Sequence, residues 1–127
     1  MHATAQSPAA EDIDQTPPDV ATMRATVDRL LDPATPTEPA PAADEVATLT
    51  LRLRGHLAVV MPEVERLAGS PPESVAQYCA LACLGEARGK LRAQPSPAPG
   101  GDLAYARRLA RALWALCDHY EALQPAD

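Results

Sequence analysis

The chain has 127 residues, enough for one domain, and 46% of them are hydrophobic although Phe is absent and Trp occurs once. Its core must come from Leu, Val and Ala, of which Ala and Leu are good helix formers; the residue types that favour sheets are scarce. The net charge of −6 argues against nucleic acid and anionic membrane as partners, since both require attraction to phosphates.

Residues 1–18 (MHATAQSPAAEDIDQTPP) are polar, acidic and proline-containing, and are expected to be a disordered acidic tail. They lack the basic and apolar regions of a signal peptide. Residues 1–43 hold seven acids against two arginines, a net −5, while residues 44–93 balance at six of each sign. The remainder, 19–124, is read as one helical bundle domain.

Asp19 is placed to cap a short helix over Val20–Leu31, whose Val20, Met23, Val27, Leu30 and Leu31 fall on one stripe. Asp32-Pro33 stops it, and residues 32–41 form a stiff proline-rich connector. A long amphipathic helix is predicted from about Pro41 to Ala68. Its stripe is Val46, Leu49, Leu53, Leu57, Val60, Val64 and Leu67, with Asp44 and Glu45 in the first turn and a kink at Pro62.

Ser70-Pro71-Pro72-Glu73 reads as a capping box opening a helix from about Pro71 to Ala93. Val75, Tyr78, Leu81, Ala82, Gly85 and Leu91 are expected to face inward. Residues 94–101 (QPSPAPGG) are a loop, and Asp102 should cap a last helix to about Leu123. That helix carries the broad apolar face Leu103, Ala106, Leu109, Ala110, Leu113, Leu116, Cys117, Tyr120 and Leu123. The predicted fold is all-α, an up-down bundle of three long helices plus one short one.

The segments Met23–Leu31 (MRATVDRLL), Leu49–His56 (LTLRLRGH), Met61–Glu65 (MPEVE), Tyr78–Arg88 (YCALACLGEAR) and Tyr105–Tyr120 (YARRLARALWALCDHY) carry a family resemblance. They resemble short streptomycete proteins that contain a domain of unknown function and are labelled natural product biosynthesis proteins. The resemblance spans residues 20–123. It implies a role linked to secondary metabolism and brings no catalytic residues with it. The excess of Arg over Lys, with abundant Ala and Pro, independently points to a GC-rich genome.

Cys79, Cys83, Cys117, His56 and His119 are the candidate soft-metal ligands. No C-x-x-C pair occurs, so the favoured reading is small core cysteines, with no metal and no cofactor. Three cysteines without a secretory signal fit reduced thiols in the cytoplasm. The longest apolar run, Leu57 to Met61, is far below the ~20 residues of a membrane span.

His56 lies at the edge of the apolar stripe. It is either a pocket histidine, with Glu63, Glu86 or Tyr78 as acid–base partners, or a half-buried one bonded to a neighbouring helix; the second is favoured. Arg107, Arg111 and Trp114, with Asp118, form a ridge suited to an anionic or aromatic ligand or an acidic partner segment. Trp114 packed on the first helix or an Arg stem is the plainer reading. The acidic tail is a candidate to cover Arg107, Arg108 and Arg111.

No phosphate loop, nucleophile elbow or Glu-x-x-His pair occurs. The function favoured is therefore a non-enzymatic accessory or adaptor protein acting through a helical protein–protein interface, with a homodimer as one form. The alternative is a small-molecule binding protein or small enzyme with a cleft around His56.

Overall fold

The computed structural model describes residues 16–31 and 40–125 and contains four helices: α1 (Val20–Leu31), α2 (Ala43–Ala68), α3 (Val75–Arg92) and α4 (Gly101–Ala122). Among the described residues there is no strand. The acidic residues 1–15 and most of the proline-rich connector, 32–39, lie outside the described residues. Pro18, at the end of the expected tail, is buried.

Asp19 caps α1 as its sequence position requires. Its carboxylate accepts bonds from the Thr22 backbone N–H at 3.1 Å and the Thr22 hydroxyl at 2.7 Å. Met23, Val27 and Leu30 are buried with Thr26 between them. In α2 the predicted stripe is buried from Val46 through Val64, with Ala68 rather than Leu67 as its last fully buried member. The helix starts at Ala43, two residues after the expected Pro41, and passes Pro62 without a break. Ala58 and Pro62 both lie on the exposed side, where water can serve the carbonyl that Pro62 cannot.

The start of α3 differs from expectation. Ser74, not Ser70, is the N-cap: its hydroxyl accepts from Gln77 N at 3.1 Å, and Gln77 Oε1 accepts from Glu73 N at 2.7 Å. Ser74 and Gln77 thus bracket the start of α3 much as a capping box does, with Gln77 bonded to the N–H of Glu73 rather than to that of Ser74. Pro72 explains the shift, because a residue before proline is driven out of the α region and Pro71 cannot be helical.

The inward face of α3 also differs. Ala80, Cys83, Leu84 and Ala87 are buried, whereas Val75, Tyr78, Ala82 and Gly85 face solvent, and Leu81 and Leu91 are partly buried. Helical spacing allows either face, because both are apolar. The face that is buried keeps Tyr78 out of the core, and its Ala80, Cys83 and Ala87 let α3 sit close to its neighbours.

At α4 the cap is Gly100 rather than Asp102. Gly100 has φ +80°, in the left-handed region. A side chain on Gly101 would overlap the Ser96 carbonyl. The glycine pair is therefore required by both conformation and close approach, and Asp102 falls inside the first turn, facing the helix dipole. Ala106, Leu109, Ala110, Leu113, Leu116 and Cys117 are buried as expected, joined by Ala112 and Tyr105; Leu103, Tyr120 and Leu123 pack partly buried at the core edge.

Cross-helix bonds fix the direction of each element. Leu30 meets Arg107, while Met23 meets Cys117, so α1 runs against α4. Arg88 pairs with Glu65, while Arg54 reaches Leu91, so α3 runs against α2. The helices α2 and α4 are parallel and in contact along the middle of the bundle. Both α1 and α3 pack on that pair, and α1 and α3 do not touch. The core is one cluster to which all four helices contribute.

Candidate functional site

Tyr105 organises the end of the bundle where α3 stops. It is 2% exposed. Its hydroxyl donates to the Lys90 carbonyl at 2.9 Å and accepts from Arg54 Nη2 at 2.7 Å. Arg54 Nη1 reaches the Leu91 carbonyl at 3.4 Å. The Arg54 and Arg108 guanidinium carbons lie 5.6 and 5.9 Å from the Tyr105 ring centroid. The node joins α2, α3 and α4 and satisfies carbonyls that a helix C-terminus leaves open.

Beyond this node α2 continues for nearly three turns with no α3 beside it. The space left is a cleft of about 390 Å³ that Val46, Thr50, Leu51, Arg54, Pro95 and Tyr105 help to line. A second groove of about 420 Å³ adjoins it beneath the 96–100 loop. Neither Arg54 nor Tyr105 stood out in the sequence.

His56 is half-buried, its Nε2 3.2 Å from the Thr26 hydroxyl on α1. Burial lowers its pKa below the usual histidine value, opposed by the charge of Asp19 and aided by that of Arg52. None of its expected partners bonds to it. Glu63 pairs with Arg66 at 3.0 Å. Tyr78 and Glu86 stand on the exposed face of α3, and α3 does not contact α1. The structure therefore ties His56 to a neighbouring helix, the plainer of its two readings.

The α4 ridge is divided. Arg107 Nε donates to the Leu30 carbonyl at 3.2 Å, closing the C-terminus of α1. Asp118 is held by Arg24 at 2.8 Å, and the same guanidinium reaches Glu121 at 2.6 Å. Arg111 is exposed, and Trp114 is 53% exposed. Acidic residues 1–15, expected over this ridge, lie outside the described residues.

The cysteines are free thiols: Cys79 exposed, Cys83 and Cys117 buried. Burial raises the Cys83 thiol pKa and brings Cys117 to about 11, so both remain protonated near neutral pH. Cys117 Sγ lies 3.9 Å from Met23 Sδ, a packing contact. Among the described residues, no three His, Cys, Asp or Glu side chains come together as a metal site, and no helix is long and apolar enough to cross a membrane.

The most distinctive surface is the outer face of α3. Val75 is 79% exposed and Tyr78 62% exposed, and Cys79, Ala82 and Gly85 continue the face. Glu86 is its one charge in this stretch, and it makes no ion pair among the described residues. The same helix buries Ala80, Cys83, Leu84 and Ala87 on its other side.

No curated protein and no solved structure matches the chain. A family model does match, over residues 21–125, which takes in all four helices but for Val20. The chain belongs to that family, a family of unknown function designated DUF6415.

Proposed function

We propose that this protein is a non-enzymatic accessory or adaptor protein that docks another protein chain through the outer face of α3. One observation carries the reading: α3 is apolar on both faces, and only one of them is covered. A helix with apolar side chains on opposite faces has a second face to cover. Leaving Val75 and Tyr78 in water forgoes the ~1.5–3 kcal/mol that burying each large apolar side chain returns. A docked partner recovers it. The association with secondary metabolism is part of this proposal and rests on the resemblance to proteins labelled for natural product biosynthesis.

The test is a photoreactive residue at position 78 in the source cell, with one at Asp28, on the exposed side of α1, as the control. A cross-linked adduct from position 78 and none from position 28 is expected. Equal adducts at both positions, or none at 78, reject the reading.

A second reading, small-molecule binding, draws on the cleft beside Arg54 and Tyr105 rather than on His56. The cleft is within the size range of ligand sites, and its mostly apolar lining holds the Arg54 guanidinium, bonded only to neutral acceptors, together with the Asp102 carboxylate, which disfavours an anion placed beside it. Titrating small apolar carboxylates against the isotope-labelled chain tests it. Saturable shifts confined to Thr50, Leu51 and Tyr105 support it, and unsaturable shifts everywhere reject it.

A further inference from the structure

We infer that the chain docked on α3 is a second copy of this protein, with the two α3 helices antiparallel about a twofold axis beside Ala82. This deepens the docking reading above and rests on it.

A twofold contact pairs residues placed equally far from its axis, so one surface must complement itself. The outer face of α3 meets that condition about Ala82. Val75 and Gly89 are each seven residues from it, Cys79 and Gly85 three, Tyr78 and Glu86 four. In the antiparallel pair Val75 and Cys79 of the N-terminal half come opposite Gly89 and Gly85 of the C-terminal half, and Tyr78 comes opposite Glu86. A Cβ added at Gly85 or Gly89 meets nothing within 4 Å inside one chain. Glycine is a poor helix former, so both weaken α3 with no steric return in the single molecule. Against a second α3 they become the room that the opposing Cys79 and Val75 occupy.

The polar groups pair as well. Neither the Tyr78 hydroxyl nor the Glu86 carboxylate has a hydrogen bond or ion pair among the described residues, and the symmetry brings the hydroxyl to the carboxylate as donor to acceptor. Glu73 falls opposite Leu91, between Lys90 and Arg92, and none of these three charges is in an ion pair within the described chain. Acid just ahead of α3, at Glu73, and base at its end are complementary only when the helices run in opposite directions. That arrangement also sets each helix's positive end beside the other's negative end.

Sedimentation velocity on the full chain over a roughly hundredfold concentration range is expected to pass from one chain mass to two. The variant Gly85→Gln/Gly89→Gln is expected to remain at one chain mass and, at concentrations low enough for wild type also to be one chain mass, to melt no lower than wild type, because its new side chains enter open space. In a Cys79→Ser background, Ala82→Cys should cross-link to twice the chain mass with a short bismaleimide, and Asp28→Cys should not. A wild type that stays at one chain mass throughout, or equal cross-linking at 28 and 82, overturns the second-copy assignment. The adduct from position 78 separates the two claims. Twice the chain mass supports both, and a different added mass ends the second-copy assignment but keeps the docking reading. No adduct ends both.

Discussion

Tyr105 and Arg54, 51 residues apart in the chain, share a 2.7 Å hydrogen bond between helices, and through it α4 and α2 together close the end of α3. Tyr105→Phe removes one hydroxyl, which leaves the Lys90 carbonyl only its bond from Ala93 N and takes the acceptor from Arg54 Nη2. The expected loss is about 1–3 kcal/mol in chemical denaturation. Faster amide exchange at the last turn of α3 should accompany it.

The caps of α3 and α4 predict opposite results for neighbouring residues. Ser74→Ala should cost about 1 kcal/mol of unfolding free energy, while Ser70→Ala should change the melting temperature little. Equal losses at both would mean that α3 begins where Ser70-Pro71-Pro72-Glu73 suggested.

Glycine to alanine should split by position. Gly101→Ala drives a methyl group into the Ser96 carbonyl, and Gly100→Ala forces a left-handed backbone on a residue that resists it. Both should lower the melting temperature. Gly85→Ala and Gly89→Ala enter open space on a helix and should each raise unfolding stability by up to ~1 kcal/mol in the single chain.

His56 sets a direction for pH. Its folded pKa lies below the ordinary 6.5, so the unfolded chain takes up the proton first. Stability is full above that value and falls as the pH drops from 6.5 through the folded pKa. Denaturation midpoints at neutral and mildly acidic pH should differ more for wild type than for His56→Gln. Asp19 acts lower on the scale. Its pKa is depressed by its bonds from Thr22, so its contribution is present above 3.8 and goes as the pH falls through the folded value.

Leu113 is wholly buried in the middle of α4. Leu113→Ala should cost about 2–5 kcal/mol and move the thermal transition accordingly.

The stripes of α2 and α4 were legible because each has one apolar face. The stripe residues Val46, Leu49, Leu53, Leu57, Val60 and Val64, and Ala106, Leu109, Ala110, Leu113, Leu116 and Cys117, share one side of their helix and are buried together. The face of α3 was not legible by the same rule, since Val75 and Tyr78 satisfy the spacing as well as Ala80 and Leu84 do. The position of its cap required weighing Pro72 against the Ser70 signature, and steric exclusion by proline is the stronger term. The Arg54–Tyr105 node was hidden for another reason: its members are far apart in the chain, and neither departs from the helical pattern around it. His56 was placed correctly at the edge of the stripe, but its partner Thr26 sits on another helix and has no mark in the sequence.

Because α1 rests on α2 and α4 without touching α3, it can peel away and leave a continuous three-helix core behind. The bundle is therefore graded rather than uniform in its resistance to opening. Under native conditions the amides of α1 should exchange before those of α4, and a protease that finds cut sites there should release that segment first.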